Sequence, residues 1–477
     1  MYFRQAAKNT HLVFDNENLI SAAGVEPAMR LADAAGLADL TAAHVRLAGP
    51  QAAHAPLKVG CLVTGMLMGA DSIDDMNLLR DCGLLHVFTE VRAPSTLGSF
   101  LRSFDHGTVR QLQAVHRRLL PGLARRAPLL PGREVLAYLD VDACQRRVYG
   151  YHKQGAAFGP ARIGSKVVTV RGLNVLAAGV STRTATTPLI TGTRLRGGSA
   201  SDTRGAASFI TEQVNVAAEA GVSGDLLVRA DSSFYNGPVI SAISRAGASF
   251  SVTMRSDPKN RRAIAAIPGD AWVAIRYPKA VYDEDLRMWY SDAEVAEIPY
   301  TAFTSKKAHT TTGRMIVRRV RRLNPKGAEG QETLPGMPDE VTYRYHAIFT
   351  SSRRAMLEAE AEHRDHAVFE QIFADSIDGP LAHLPSGHFS ANAAWVVLAA
   401  ITQNILRAAG ALASLFHAKA RSATLRRDLI NVPATTARTG RGTLTLRGIK
   451  GWYAEEACLA LHAATRPAAR GPTPAAA

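Results

Sequence analysis

Cysteine is scarce in this chain of 477 residues, and Cys61, Cys82, Cys144 and Cys458 are too dispersed to form a CxxC pair. Neither a zinc site nor a disulfide framework is therefore indicated, and the four read as packed thiols. Long apolar runs are also lacking. The best one, Trp395 to Ile401, soon meets Thr402, Gln403 and Asn404, well short of the ~18 residues of a membrane span. The opening MYFRQAAKNTHLVF has no apolar core of a secretory signal, so a cytoplasmic protein with no membrane partner is expected. Acidic charge is in deficit: 41 Asp and Glu against 56 Lys and Arg give a formal charge of +15. That balance favours a polyanionic partner, nucleic acid first. What the chain has in quantity is hydrophobic residues, 47% of the total, enough at this length for two to four domains.

From Asn18 to Leu120 the apolar residues recur at three- and four-residue intervals, the signature of helices, with breaks at Gly24, Gly36 and Gly83. Ser95-Thr96 are placed to cap a helix through Phe104. After Asp105-His106-Gly107 a second helix turns Val109, Leu112, Val115 and Leu119 inward and Arg110, Arg117 and Arg118 outward. The pair fits a helix-turn-helix DNA reader or a plain bundle with a basic face. Past Pro128 to Gly132 the pattern changes to strands. Val135 to Asp142 reads as a buried strand ending in carboxylates, Arg147 to Tyr151 and Lys166 to Val170 as the second and third strands, and Asp202 as the cap of a helix closed by Gly221. Leu226 to Asp231 is another buried strand, Pro238 to Ala246 a short helix, and Phe250 to Arg255 a fifth strand. This order is that of an α/β ribonuclease-H-like fold.

The expected organisation is a helical, DNA-binding region at 1–130, a ribonuclease-H-like catalytic core at 131–258 and 351–420, a β-rich basic insertion at 259–350, and a C-terminal region at 421–477 with a disordered Pro- and Ala-rich tail from Arg466. The insertion carries an acidic stretch from Asp283 to Glu297, then eight basic and no acidic residues between Lys306 and Lys326. Arg314, Arg318, Arg319, Arg321 and Arg322 are its candidate phosphate contacts, against the alternative of a solvated strand face. A helix is expected from about Arg354 to Ile377 and an apolar one from Ala391 to Phe416.

Phosphodiester chemistry commonly uses two divalent cations ~4 Å apart held by hard oxygen ligands. In a ribonuclease-H-like sheet the first and fourth strands are neighbours, so carboxylates at their ends converge and an acid from the last helix completes the set. Asp142, Asp231 and Glu370 occupy those places. Asp140, two residues earlier on the same side of the strand, is an alternative or additional ligand. Glu370 shares a helical face with His363 and His366, candidates for contact with a DNA phosphate.

At these residues the chain resembles bacterial insertion-sequence transposases of the DDE class, specifically insertion-sequence family 1380. The matching stretches are HLVFDNENLISAAG, APSTLGSFLRSFDHGTVRQL, LDVDAC, LLVRADSSFY, YRYHAIFT and ANAAWVVLAAITQNILR, spread over roughly residues 11–460. The resemblance implies Asp142, Asp231 and Glu370 as catalytic metal ligands, two Mg2+ or Mn2+ ions, and terminal inverted repeats and target DNA as substrates. It further implies a homodimer when two ends are synapsed, and a nucleoid location when bound to DNA. Two positions depart from the family pattern: D-x-T is Asp142-Ala143-Cys144 here, and Tyr-x-x-Arg-x-x-x-Glu becomes His363, His366 and Glu370, with Arg364 in place to replace the arginine. A ribonuclease-H-like nuclease or resolvase, and an inactive transposase-derived DNA-binding protein, are the competing functions.

Overall fold

The computed structural model describes residues 10–163, 166–184, 187–275, 281–283, 288–290, 293–321, 343–440 and 442–467. The N-terminal helices are α1 (Val25–Ala34), α2 (Leu37–His44), α3 (Ala55–Met68), α4 (Pro94–Arg102) and α5 (His106–Arg126). Asp105, and not the Ser95-Thr96 pair, provides the strongest cap. Its carboxylate accepts from the Thr108 amide at 2.7 Å while the Thr108 hydroxyl accepts from the Asp105 amide at 2.8 Å, a reciprocal box that fixes the start of α5.

The strands of the main sheet, apart from two small sheets of two and three strands, are β1 (Leu136–Arg147), β2 (Ala157–Ile163), β3 (Lys166–Thr182), β4 (Leu189–Arg196), β5 (Asp225–Ala230), β6 (Ser249–Thr253), β7 (Val273–Ile275), β8 (Ala293–Ala302), β9 (Thr311–Arg321) and β10 (Tyr343–Thr350). Among the described residues they form one mixed sheet in the order β2-β3-β1-β5-β6-β10-β9-β8-β7, with β4 also on β3. β1 is antiparallel to β3 and parallel to β5, which is parallel to β6. Helix α6 (Ala206–Glu219) links β4 to β5, and α7 (Gly237–Arg245) links β5 to β6.

Several expectations change here. The first strand does not stop at Asp142 but runs on to Arg147, because β3 pairs with it through Gly172. The stretch Arg147 to Tyr151 is mostly loop, and β4 is an additional strand. Helix α6 starts after Gly205, whose φ of +71° suits glycine, so Asp202 stands outside the helix it was expected to cap. The described strands within 259–350 extend the main sheet, since β10 pairs with β6, β9 with β10 and β8 with β9. Its apolar residues Ala296, Met315, Val317 and Phe349 share a core with Leu139 and Val228.

The expected helix from Arg354 to Ile377 is two helices, α8 (Met356–Arg364) and α9 (Ala367–Ile377), broken at Asp365-His366. After them α10 (Phe389–Ala413) runs through the interior, and α11 (Glu455–Ala464) lies near the C-terminus. By length and composition α10 alone among the described helices would span a bilayer, yet 89% of its apolar window is buried in protein. The N-terminal helices pack on this helix and share one core with it, from Ile20 to Leu461. Asn404 of α10 makes the join: it donates to His116 Nε2 of α5 (2.9 Å) and to the Ile190 carbonyl of β4 (2.8 Å), and accepts from the Ile190 amide (2.9 Å). The expected tail lies largely outside the described residues, as does part of the acidic stretch.

Candidate active site

The parallel register of β1 and β5 ends with Val141 opposite Ala230. Asp142 and Asp231 are the next residue on each strand, so the sheet spacing of ~4.8 Å sets their backbones side by side. There the strands part. Asp231 turns the chain, its Oδ1 accepting from the Ser233 amide at 3.0 Å and the Ser233 hydroxyl at 2.6 Å. Arg255, just beyond β6, fastens that turn by donating to the carbonyls of Ser232 (2.9 Å) and Ser233 (3.1 Å). Asp231 is exposed and Asp142 half-buried, so both stand at the open end of the strand pair.

Asp140 behaves differently. It is buried, and its two oxygens accept from Arg229 Nε (2.7 Å) and Nη2 (2.8 Å) on the neighbouring strand. Arg229 also lies over the Tyr138 ring at 4.1 Å and donates to the Glu362 carbonyl at 2.5 Å. A carboxylate committed in this way is a structural anchor, and the expectation that Asp140 binds metal is not carried forward.

The same buried seam seats α8 on the sheet. Tyr138 donates to Glu362 (2.9 Å), Arg318 of β9 pairs with Glu360, and His363 lies between the hydroxyls of Ser251 (2.9 Å) and Thr253 (3.0 Å). Burial, with the charges of His366, Arg229 and Arg318, holds His363 well below the usual histidine range, so its ring stays neutral. Beyond the Asp365-His366 turn α9 continues onto the same face. Phe369 rests where a Cβ on Gly179 would come within 2.4 Å of its ring, and Gly179 is the cross-strand partner of Asp140. The glycine thus lets α9 approach the side of β1 from which Asp140 and Asp142 project. Glu370 follows Phe369 on that helix, and its side chain lies outside the described residues.

A carboxylate absent from the expected set joins Asp231. Asp202, in the loop before α6, has its pKa raised by burial and then by the charge of Asp231, against the opposing influence of Arg196, Ser233 and Arg255. Arg196 approaches it at 3.8 Å and is itself held by Asn174 Oδ1 (3.0 Å from Nε). Like charges gathered at an open strand end suit a cation. Among the described residues, no three acidic, histidine or cysteine side chains form a metal-binding group. Asp202 had a sequence signal: residues 143–201 contain nine lysines and arginines and no acid, so it is the first carboxylate after Asp142.

The candidate DNA contacts are largely committed inside the protein. Arg314 pairs with Glu297 and donates to the carbonyls of Ser352 (2.8 Å) and Arg354 (2.7 Å). Arg319 pairs with Glu294 at 2.5 Å and stacks between Trp272 (4.2 Å) and Tyr343 (4.7 Å). With Arg318 buried against Glu360, these three stabilise the packing around β9 instead of presenting free charge, because β8 supplies Glu297 and Glu294 and α8 supplies Glu360. Arg321 ends β9 with its side chain outside the described residues, and Arg322 lies wholly outside them. Arg364 pairs with Glu360 at 3.0 Å, His363 is buried, and His366 is half-buried with Nδ1 on the His363 carbonyl at 2.7 Å. The outer face of α5 is likewise engaged, since Arg110 and Arg117 pair with Glu212 and Glu219 of α6. No family model matches the chain, and no curated protein matches it.

Proposed function

We propose that this protein is a DDE-class DNA transposase of insertion-sequence family 1380, cutting at the ends of a mobile element and joining them to target DNA. The observation that carries the reading is the parallel β1–β5 register, which sets Asp142 beside Asp231 while α9 brings the Glu370 backbone to the same face of β1. The order β4-β3-β1-β5-β6, with α6 and α7 as crossovers, supports a ribonuclease-H-like core. Asp142, Asp231 and Glu370 would hold Mg2+ or Mn2+, the hard-oxygen preference of such donors. A metal pair held by these carboxylates would supply activation of the attacking oxygen and stabilisation of the leaving one.

The chain's own residues do the positioning. Ser233 and Arg255 fix the Asp231 turn, and the Asp140–Arg229 pair seats α8, from which α9 departs. Asp202 adds negative charge beside Asp231 and deepens the cation's electrostatic well. The net charge of +15 supplies general attraction for DNA. The test is cleavage and joining of linear DNA carrying the inverted repeats that flank the coding sequence. Magnesium-dependent nicking at the repeat ends followed by strand transfer supports the reading; hydrolysis without joining makes the protein a nuclease, and metal-independent cutting overturns the mechanism.

A further inference from the structure

Past Asp142, β1 runs on to Arg147 and leads into a surface that the cleavage reading does not use. Tyr149, Tyr151 and Phe158 are 64%, 94% and 68% exposed, an unusual density of solvent-facing rings for one loop and its following strand. They line a single depression of about 550 Å³ together with Arg147 and Arg171. The loop is well anchored. Arg171 Nη1 donates to the Gly150 carbonyl at 2.7 Å and Nη2 to the Tyr151 carbonyl at 3.0 Å, while Lys153 donates to the carbonyls of Leu384 (2.7 Å) and Ser386 (3.0 Å). Phe158 is the cross-strand partner of Arg171, and the Arg147 guanidinium lies over the Tyr149 ring at 5.0 Å.

Charge identifies the occupant. Neither Arg147 nor Arg171 meets a carboxylate among the described residues, whereas Arg314, Arg318 and Arg319 all do. The depression also falls inside the 143–201 stretch that has no acid at all. Exposed rings interleaved with uncompensated arginines favour a ligand that carries both π-faces and negative charge, the pairing used for unpaired nucleotides. Duplex DNA keeps its bases stacked on each other and gains nothing from the rings. The start of the surface is ~17 Å along β1 from Asp142, counting five residues at ~3.3 Å each.

We propose that Tyr149, Tyr151 and Phe158, with Arg147 and Arg171, form a stacking platform for unpaired bases of single-stranded DNA. The location beside the cut rests on the transposase reading, but the binding itself does not. The experiment is therefore fluorescence anisotropy in excess chelator, with the full chain, a labelled thymidine oligonucleotide and a duplex of equal length. Tyr149→Ala, Tyr151→Ala and Phe158→Ala are each expected to weaken single-strand binding ~5- to 150-fold, the range for loss of a base-stacking ring, with duplex binding within twofold. Tyr151→Trp is expected to retain binding, and Tyr151→Leu to lose it although the surface stays apolar. Thermal melting and size-exclusion chromatography accompany each variant; rings this exposed contribute little to folding, so an unchanged melting temperature is expected.

Unchanged single-strand affinity overturns the proposal, as does equal loss for duplex, which would leave only charge contacts. A shift in oligomeric state without loss of single-strand binding would assign the rings to a contact between copies of the chain and also overturn it. If cleavage fails while the ring-dependent binding persists, the catalytic reading falls and the platform stands.

Discussion

Asp140→Asn separates the anchoring carboxylate from the proposed catalytic one. In the folded chain both Asp140 and Arg229 side chains are only 2% exposed, and each carboxylate oxygen accepts one guanidinium bond. An asparagine retains a single acceptor and presents an amide N–H to a cation. Breaking one side of a buried pair costs ~3–5 kcal/mol, because the remaining charge stays desolvated. Arg229 has little to fall back on: its other contacts are the Glu362 carbonyl and the face of the Tyr138 ring. Asp142→Asn, two residues on at the open strand end, is expected to change stability by no more than ~0.5 kcal/mol. Urea unfolding followed by circular dichroism reads the difference, with the cleavage assay run on the same samples. The expected pattern is a large midpoint loss for Asp140→Asn, and full stability without cleavage for Asp142→Asn. The double variant Asp140→Leu/Arg229→Met removes both charges and is expected to recover most of the loss. An Asp140→Asn protein with an unchanged midpoint and no cleavage would refute the assignment and make Asp140 the ligand.

Two further outcomes concern buried groups, one at the join of α5, α10 and β4 and one beside Asp140. Burial lowers the His116 pKa from 6.5 to about 4, so between those values the unfolded chain binds a proton that the folded chain refuses. His116's share of stability is then intact above about pH 6.5 and declines as pH falls, by up to ~3 kcal/mol for 2.5 units at 1.36 kcal/mol each. His116→Gln is expected to flatten that acid limb in urea titrations from pH 7 to 4, and an unchanged slope would contradict it. Gly179→Ala puts a Cβ within 2.4 Å of the Phe369 ring and 3.0 Å of the Leu189 carbonyl, which displaces α9. A shift of ~1 Å in a positioning element costs ~10²-fold in rate, so cleavage is expected to fall by about that factor with DNA affinity unchanged; wild-type turnover would disprove the role given to α9.

The parts of the fold legible in the sequence were those dictated by local pattern. Leu226 to Ala230 and Leu136 to Val141 are apolar runs bounded by breaks and read directly as buried strands, and Asn236, Pro238 and Gly247 frame α7. β4 was missed because Thr191, Thr193, Arg194 and Arg196 break its apolar run, and its place is set by pairing with β3. The break between α8 and α9 was hidden because alanines and acids on both sides favour helix. His363 and Glu370 consequently sit on different helices. Ion pairs were the least legible feature. Asp140 and Arg229 are 89 residues apart, and Arg318 and Glu360 are 42 apart, so a basic run reads as free charge until the sheet brings its partners alongside. For the same reason Asp231 was readable at its strand end, while its electrostatic coupling to Asp202 appears only once the loop between β4 and α6 is folded beside the end of β5.

Iron-directed backbone cleavage tests the central claim, that Asp142, Asp231 and Glu370 hold the catalytic metal. Fe2+ placed in a Mg2+ site generates hydroxyl radicals with ascorbate and peroxide, which cut the chain next to the ligands, and mass spectrometry identifies the cuts. The account predicts cuts near residues 142, 231 and 370, suppressed by excess Mg2+ and lost in Asp231→Asn. Cuts confined to other regions, or an unchanged pattern in Asp231→Asn, would contradict it.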